Sequence, residues 1–450
     1  MGLPSVCSGR ELEPADVEDL YVFCPYGFFC FDWMCIVQHF AFLDEAARDH
    51  VFAVQPEALS PTSSRELLAL ALGATLYSPA TRTTLDTDAL RVAGVGSTSM
   101  VWCLEDSIPH TAVPEGEANI VAALQRLHTG PQEVRDRLPL LFVRVRDADQ
   151  IRRLTVAAGD ALNVLTGFSL PKVNTGNMGP LMEAIKEASG RIGRVLYAMP
   201  ILETPDVMFL ESRRKTLNGL ADLFNIYYRE QVLCVRVGGT DLSGLFGLRR
   251  DRDTTVWDVA VVRDALADIV NRFARLGQFV VTGAVWEHIP GPRLFKPQLR
   301  STPFAESTSR RSLRNRLIHD DVDALMREIA LDKANGMYGK TVIHPTHVSI
   351  VNAMLAVSAD EYEDAMAVAQ ASTVGGVMAS AHGRMNEMGP HALWAEQVLA
   401  RARVYGVLRN QQALVSLLAA GQEAVTNVYP VVSSEVEASD GSVVPLGVAG

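Results

Sequence analysis

From about residue 70 onward, short apolar runs rich in β-branched residues alternate with longer stretches of helical periodicity. This alternation is typical of strand–helix units that build a parallel sheet. The predicted strands are 74–79, 99–104, 139–145, 168–173, 194–202, 232–239, 278–283 and 340–343. Eight such units fit a closed barrel better than an open sheet, so we predict an α/β fold, the (β/α)8 TIM barrel.

The clearest predicted helix lies before the seventh strand. Its apolar residues follow one another at spacings of four and three and stop before Gly277; they are Val262, Leu266, Ile269, Phe273 and Leu276. That spacing places them on one helix face, which we expect to pack against the barrel. After the eighth strand, Ser358 and Glu361 have the spacing of a capping box, which predicts a further helix.

The segments around the barrel differ in character. We predict a barrel domain over 37–357, a C-terminal helical extension over 358–430 and a flexible tail over 431–450. Residues 290–318 combine several prolines with many arginines and serines, which indicates a long loop inserted after the seventh strand. Such loops usually act as lids or are disordered.

Residues 1–36 form an atypical N-terminal segment. We expect that much of it does not belong to the native fold and that Met34 is a plausible true start. The aromatic stretch 20–42 has the apolarity of a membrane segment, but Pro25 and Asp32 interrupt it and acidic residues precede it. These features differ from those of a spanning helix or a signal peptide, so we expect no membrane element.

Composition narrows the functional classes. The chain is 48% hydrophobic and 21% charged, with a net charge of −11, which provides no global field for nucleic acid. Its six cysteines form no disulfide framework and no zinc-type pairs. We therefore expect a cytoplasmic protein that binds no nucleic acid, and we expect a homo-oligomer.

The residues that follow the predicted strands carry the candidate chemistry. Seven of the eight strands end in ionisable residues, whereas the strand interiors are almost purely apolar. The ionisable residues are Arg82, Glu105, Asp106, Arg144, Arg146, Lys172, Glu203, Asp241 and His344. The active site of a TIM barrel lies at this end of its strands. For any one of these residues, a solvated loop charge is the alternative interpretation.

Glu203 and Asp241 are the candidate metal ligands. Each closes an apolar run, and carboxylate oxygens supplemented by water and substrate are what Mg²⁺ prefers. Gly238 and Gly239 precede Asp241 and would let substrate or metal approach the backbone closely. The alternative is that Glu203 caps the next helix and Asp241 the next turn.

Seven motifs occur in a recognisable order: LYSPATR, CLEDS, LFVRVRD, LPKV, ILET, GGTDL and YGKTVIHPTHV. In this order they resemble the HpcH/HpaI aldolase and citrate lyase beta-subunit superfamily. The resemblance covers roughly residues 37–372 and is strongest to the branch described as C–C bond lyases of the TIM-barrel fold, found near tellurium-resistance genes.

The resemblance implies a Mg²⁺-dependent barrel that makes or breaks a carbon–carbon bond beside a carbonyl. It implies that Glu203 and Asp241 bind the metal and that Arg144 holds a substrate carboxylate or carbonyl. Arg82 and the Glu105–Asp106 pair fill its first-motif and second-motif positions. Together with Arg144, these three are the predicted catalytic residues. The predicted substrate-binding residues are Arg144, Arg146, Lys172, Gly238, Gly239 and His344.

Several alternatives stay open. Lys172 could form a Schiff base, although an ion pair with an acid is favoured. The basic insert could cover a phosphorylated substrate, or it could be a solvated loop. We predict lyase action on a carboxylate-bearing small molecule, with phosphorylated and coenzyme A-linked forms both open. A synthase or thioester hydrolase of the same superfamily, or an inactive scaffold subunit of a stress-response complex, are the alternatives.

Two segments resemble nucleotide-binding motifs but lack features that such motifs require. GVGSTS at 94–99 lacks the third glycine of a dinucleotide fingerprint, and GMYGKT at 336–341 is too short for a P-loop. Both also precede a strand instead of following one. We therefore expect neither segment to bind a nucleotide, and Mg²⁺ is the cofactor that the resemblance implies.

Overall fold

Eight parallel strands close into a barrel in the computed structural model, which describes residues 36–60, 62–289, 322–371, 376–380 and 382–430. The strands are β1 Phe52–Val54, β2 Ala74–Pro79, β3 Ser99–Cys103, β4 Leu140–Arg144, β5 Gly167–Leu170, β6 Tyr197–Leu202, β7 Cys234–Val237, β8 Val280–Gly283, β9 Met337–Val342, β10 Val357–Ser358, β11 Val377–Ala379, β12 Met385–Glu387 and β13 Val407–Leu408. The barrel runs from β2 to β9 in chain order. The first and last strands meet in parallel register, with Ala74 opposite Lys340, so the predicted TIM barrel is confirmed.

Helices connect the strands and cover the outside of the barrel, as parallel strands require. They are α1 Glu45–Val51, α2 Arg65–Ala71, α3 Leu85–Gly94, α4 Val113–Thr129, α5 Gln132–Arg135, α6 Ala148–Ala158, α7 Met178–Ile192, α8 Pro205–Met208, α9 Leu210–Asp222, α10 Gly239–Gly244, α11 Ala260–Phe273, α12 Asp323–Ala334, α13 Thr346–Leu355, α14 Ala359–Gln370, α15 Ala392–Tyr405 and α16 Gln411–Val428. Short 3-10 turns lie at His110–Ala112, Gly159–Val164, Val256–Asp258 and Arg275–Gly277, and a π-helical turn lies at Leu223–Tyr227.

The predicted helix before the seventh barrel strand is α11. Val262, Leu266, Ile269 and Phe273 are all buried on it, as their spacing predicts. The helix itself ends at Phe273, and the 3-10 turn Arg275–Gly277 follows, with Gly277 at φ +68°. Glycine adopts this left-handed conformation at little cost, which is why the chain turns there.

Several predicted strand boundaries differ from those of the structure, and backbone geometry explains three of them. The fourth barrel strand ends at Leu170 because Pro171 follows and Lys172 adopts φ +50°, so Lys172 lies in a turn. The sixth ends at Val237 because Gly239 begins α10. The eighth begins at Met337, before its predicted start, because Gly339 accommodates a positive φ within the strand.

The C-terminal extension is helical, as predicted, and joins the barrel's N-terminal flank. Its strand β13 pairs with β1 and with β10 in a three-stranded sheet. The Ser358 hydroxyl caps α14 by accepting from the Glu361 amide at 3.2 Å. The Glu361 carboxylate does not complete a capping box, because it accepts instead from Arg401.

Some predictions lie outside the described residues. Those for 1–35, for the insert 290–318 and for the tail 431–450 all fall there. Among the helices that the structure describes, none is both long and apolar enough to cross a bilayer. The cytoplasmic location and the homo-oligomeric state stay predictions.

Candidate active site

Four carboxylates and two cations meet at the carboxyl ends of five neighbouring barrel strands. Glu105 and Asp106 follow β3, Arg144 ends β4 and Lys172 lies just past β5. Glu203 directly follows β6, and Asp241 lies in the first turn of α10 after β7. Parallel strands that close into a barrel bring these chain-distant side chains to one mouth.

Arg144 is the central cation of this cluster. Its Nη2 lies 2.7 Å from Glu105 Oε2, 3.1 Å from Glu203 Oε1 and 3.3 Å from Asp106 Oδ2. Burial by itself would lower the pKa of the guanidinium, but the charges of Glu203 and Glu105 outweigh burial and raise it. Arg144 is therefore permanently charged and tied to three acids.

Lys172 is the second cation. Its Nζ lies 2.5 Å from Glu105 Oε1, 2.9 Å from Asp106 Oδ2 and 4.0 Å from Asp241 Oδ1. Burial acts to lower the pKa of this ammonium group, but the contacts with Glu105 and Asp106 outweigh burial and raise it. A Schiff-base lysine needs a depressed pKa, so this environment favours the ion-pair interpretation.

The backbone at Lys172 also serves the site. With φ at +50°, the residue occupies a left-handed conformation that is uncommon for a side chain with a Cβ. The turn directs the Lys172 amide to Glu203 Oε1 at 3.0 Å, and the Asn177 side chain secures it by donating to the Lys172 carbonyl at 3.0 Å. Backbone strain of this kind concentrates at functional sites.

Glu203 and Asp241 form an inner and an outer carboxylate. Glu203 is 4% exposed, whereas the Asp241 side chain is 32% exposed. Burial, together with the charges of Asp241 and Glu105, raises the pKa of Glu203 to about 7, although Arg144 opposes this rise. The neighbouring cations therefore do not fully offset the cost of burying the negative charge of Glu203.

Gly238 makes room for Glu203. A Cβ on Gly238 would lie 2.1 Å from Glu203 Oε2 and 2.4 Å from Glu203 Cβ. A Cβ on Gly239 would likewise lie 2.8 Å from the Ala284 Cβ. The close approach predicted at Gly238 is therefore made by the Glu203 side chain, and contact of either glycine with substrate stays a prediction.

The donor set fits a magnesium ion. Four carboxylates face two cations in the cluster, so a divalent ion would balance the remaining charge. In the described part of the chain, no group of three or more His, Cys, Asp or Glu side chains has an arrangement suited to holding a metal. A pair of carboxylates suffices for Mg²⁺, because this ion usually keeps several waters and takes one or two carboxylates.

Three predicted site residues make their contacts elsewhere. The Arg82 Nε lies 2.6 Å from Asp88 Oδ2, and within the described part of the chain no hydrogen bond or ion pair joins Arg82 to the cluster. Arg146 donates to the carbonyls of Leu104 at 2.7 Å and Glu105 at 3.0 Å. It thus braces the loop that carries the two acids, and its contact with substrate stays a prediction.

His344 is the third of these residues. Its Nδ1 lies 2.7 Å from the Thr346 hydroxyl at the start of α13, and burial lowers the pKa of its imidazole. It is therefore neutral near pH 7. Its role in binding substrate also stays a prediction.

Sequence reasoning missed the polar residues inside the barrel. The Tyr77 hydroxyl lies 3.2 Å from the Ser169 hydroxyl across the barrel, and the Arg236 guanidinium lies 5.6 Å from the Tyr77 ring centroid. One signal was available, since an arginine within the apolar run VLCVRV is unusual for a barrel strand. Its neighbours could not be read from the sequence.

A second missed feature supports the Asp241 turn. The Thr240 hydroxyl lies 2.5 Å from Glu287 Oε1, and Arg250 reaches the same oxygen at 3.3 Å. Arg250 also forms a buried ion pair with Glu328 at 2.7 Å. This chain of contacts links the residue before Asp241 to α12.

Comparison with known families decides the relationship. The family described as "C-C bond lyase of the TIM-barrel fold" matches residues 66–407, well over half of the chain. The chain belongs to this family. The predicted resemblance is thereby confirmed, while the association with tellurium-resistance genes stays a prediction.

Two solved structures are among those similar to this chain. A citrate lyase from Burkholderia xenovorans LB400 is 17% identical, with 77% of this chain and 96% of that chain covered and a TM-score of 0.52. The protein CitE from Mycobacterium tuberculosis, in complex with magnesium, acetoacetate and coenzyme A, is 18% identical over 73% of this chain and 97% of that chain, with a TM-score of 0.46. A search of curated protein sequences gives no match. At 17% identity and a TM-score of 0.52, the likeness to the Burkholderia xenovorans structure shows the fold alone.

Proposed function

We propose that this member of the C–C bond lyase family is a Mg²⁺-dependent lyase that acts on a carboxylate-bearing small molecule. One observation carries the proposal: the buried Glu203 carboxylate lies close enough to Asp241 to feel its negative charge, and the nearby cations do not bring the pKa of Glu203 back to an ordinary value. A divalent cation between two such oxygens would relieve that excess of negative charge.

Glu203 and Asp241 would hold the metal in this proposal. Bound there, Mg²⁺ would supply Lewis-acid stabilisation of the negative charge that develops on a carbonyl or enolate oxygen. The remaining chemistry belongs to the side chains around it. Burial inside the barrel mouth strengthens each of these charge interactions by limiting competition from water.

Arg144 would orient the substrate. Its guanidinium can donate two parallel hydrogen bonds to a planar carboxylate, which a lysine cannot do. In the structure its Nη2 is shared by three acids, so it lies within reach of the metal pair. A substrate carboxylate on Arg144 would therefore lie beside the metal ligands.

Asp106 is the proposed proton acceptor. Burial acts to raise the pKa of its carboxyl group, but hydrogen bonds and the charges of Lys172 and Arg144 outweigh burial and lower it, so the group is ionised near pH 7. Its side chain is half exposed at the mouth, where a substrate can reach it. In the cleavage of a substrate with a hydroxyl group β to a carbonyl, Asp106 would accept the hydroxyl proton and the hydroxyl-bearing carbon would become a carbonyl. The electron pair of the broken carbon–carbon bond would pass to the other fragment as its enolate.

Metal binding is the first test. Isothermal titration calorimetry with Mg²⁺ should give saturable binding to wild type and none to Glu203→Gln. Asp206→Asn is the matched control, because Asp206 is an exposed acid three positions along the chain. Mg²⁺ binding that survives loss of Glu203, or no binding in wild type, would favour the inactive scaffold.

Activity is the second test. Acyl-thioesters and 2-oxo acids should be screened for cleavage that requires Mg²⁺ and is lost with Glu203→Gln. Assaying both compound classes also separates coenzyme A-linked from free substrates. Turnover that proceeds unchanged in EDTA would overturn the proposed metal mechanism.

A further inference from the structure

Arg236 is a fully buried cation inside the barrel. It lies on β7, two positions before Gly238, and is 1% exposed. Its guanidinium contacts the hydroxyls of Thr75 at 3.2 Å and Thr341 at 2.6 Å. Thr75 lies on β2, which is not a neighbour of β7, so the side chain crosses the interior of the barrel.

The charge of Arg236 is not compensated by a nearby acid. Among the residues that the structure describes, no carboxylate forms an ion pair with it, and its Nε has no hydrogen-bond acceptor. Two other buried cations in this fold do have acids: Arg250 lies 2.7 Å from Glu328, and Lys340 lies 2.8 Å from Asp332. Burying a charge without such a partner costs several kcal/mol.

Tyr77 connects this cation to the candidate active site. The Arg236 guanidinium packs on the Tyr77 ring, and the Tyr77 hydroxyl reaches Ser169. Ser169 lies on β5 directly opposite Arg144 of β4 in the strand register. Arg236 therefore lies beneath the residues at the mouth, on the side away from solvent.

We propose that Arg236 is a positioning residue that makes the base of the site electropositive, so that the site selects a substrate whose inner end is an anion. This inference rests on the proposed function and deepens it by naming the charge of the buried substrate end. Once a divalent ion joins Arg144 and Lys172 in balancing the four acids at the mouth, the charge of Arg236 is left to be neutralised by the substrate. The same charge opposes binding of the metal, because both are positive.

Neutralising Arg236 therefore has opposite effects on two ligands. In Arg236→Met, calorimetry with Mg²⁺ alone should give binding that is tighter by at least about threefold, because a positive charge that repels the divalent ion has been removed. Oxalate, titrated as an anionic probe into the Mg²⁺-saturated protein, should bind more weakly by a similar factor. Arg236→Lys should restore both affinities toward wild type.

A second variant keeps Arg236 in place. Thr341→Asp sets a carboxylate beside the guanidinium, since the Thr341 hydroxyl lies 2.6 Å from Arg236 Nη2. It should tighten Mg²⁺ binding and weaken oxalate binding, as Arg236→Met does. Thr341→Asn is the control, because it has the same shape without the charge and should leave both affinities within about twofold of wild type.

The directions in which the Mg²⁺ and oxalate affinities change test the inference. If Arg236 only stabilised the fold, its replacement would loosen the site and weaken both ligands together. That result, or unchanged Mg²⁺ affinity in Thr341→Asp, would overturn the inference. Failure of the proposed function would instead be visible in the wild-type protein, as missing Glu203-dependent Mg²⁺ binding, and the inference would fall with it.

Discussion

Replacing Glu203 by glutamine should change the way in which stability depends on pH. Burial and the neighbouring acids raise the pKa of Glu203 from 4.5 to about 7 in the folded protein. Below pH 4.5 the carboxyl group is protonated in both the folded and the unfolded chain, and it imposes no penalty. Between pH 4.5 and 7 the unfolded chain releases the proton while the folded chain retains it, so stability falls as pH rises.

The magnitude follows from the two pKa values. The difference of about 2.5 units between 4.5 and about 7 corresponds to roughly 3 kcal/mol of unfolding free energy, at about 1.4 kcal/mol per unit. Wild type should lose this amount by pH 8 when no metal is present. Glutamine resembles the protonated acid and does not titrate, so Glu203→Gln should not lose it.

Urea unfolding in EDTA at pH 4.5, 6 and 8 would measure the effect. Other groups titrate in both proteins, so the difference between wild type and variant isolates Glu203. Saturating Mg²⁺ at pH 8 should then stabilise wild type by about 3 kcal/mol at a hundredfold excess over the dissociation constant and leave the variant unchanged. Parallel pH profiles for the two proteins would refute the interpretation of Glu203 as an under-compensated acid.

Three further predictions follow from the same contacts. Gly238→Ala should abolish Mg²⁺ binding by calorimetry, because its Cβ would collide with Glu203, whereas Gly244→Ala has open space and should bind normally. Lys340→Met should lower stability in thermal unfolding by about 3–5 kcal/mol, because it leaves the buried Asp332 without its cation and leaves Glu328 with Arg250 alone. Borohydride with a 2-oxo acid should trap no adduct on Lys172, whose raised pKa keeps it protonated; a trapped adduct in the mass spectrum would contradict the metal mechanism.

The barrel and the location of its active end could be predicted from the sequence alone. Local hydrophobic periodicity specifies which segments become strands and which become helices, and eight such units permit few topologies. The same logic placed Arg144, Lys172, Glu203 and Asp241 at one mouth, because each directly follows an apolar run. The structure brings these four side chains together.

Only the tertiary structure determines which side chains meet across the interior of the barrel. Arg236 and Thr75 lie 161 positions apart, and no local pattern indicates that their side chains meet. Arg82 follows a strand like the others, yet its carboxylate partner is Asp88 in the next helix. Periodicity reports which face of an element a residue occupies, whereas charge compensation depends on distances between elements, and those distances exist only once the barrel has closed.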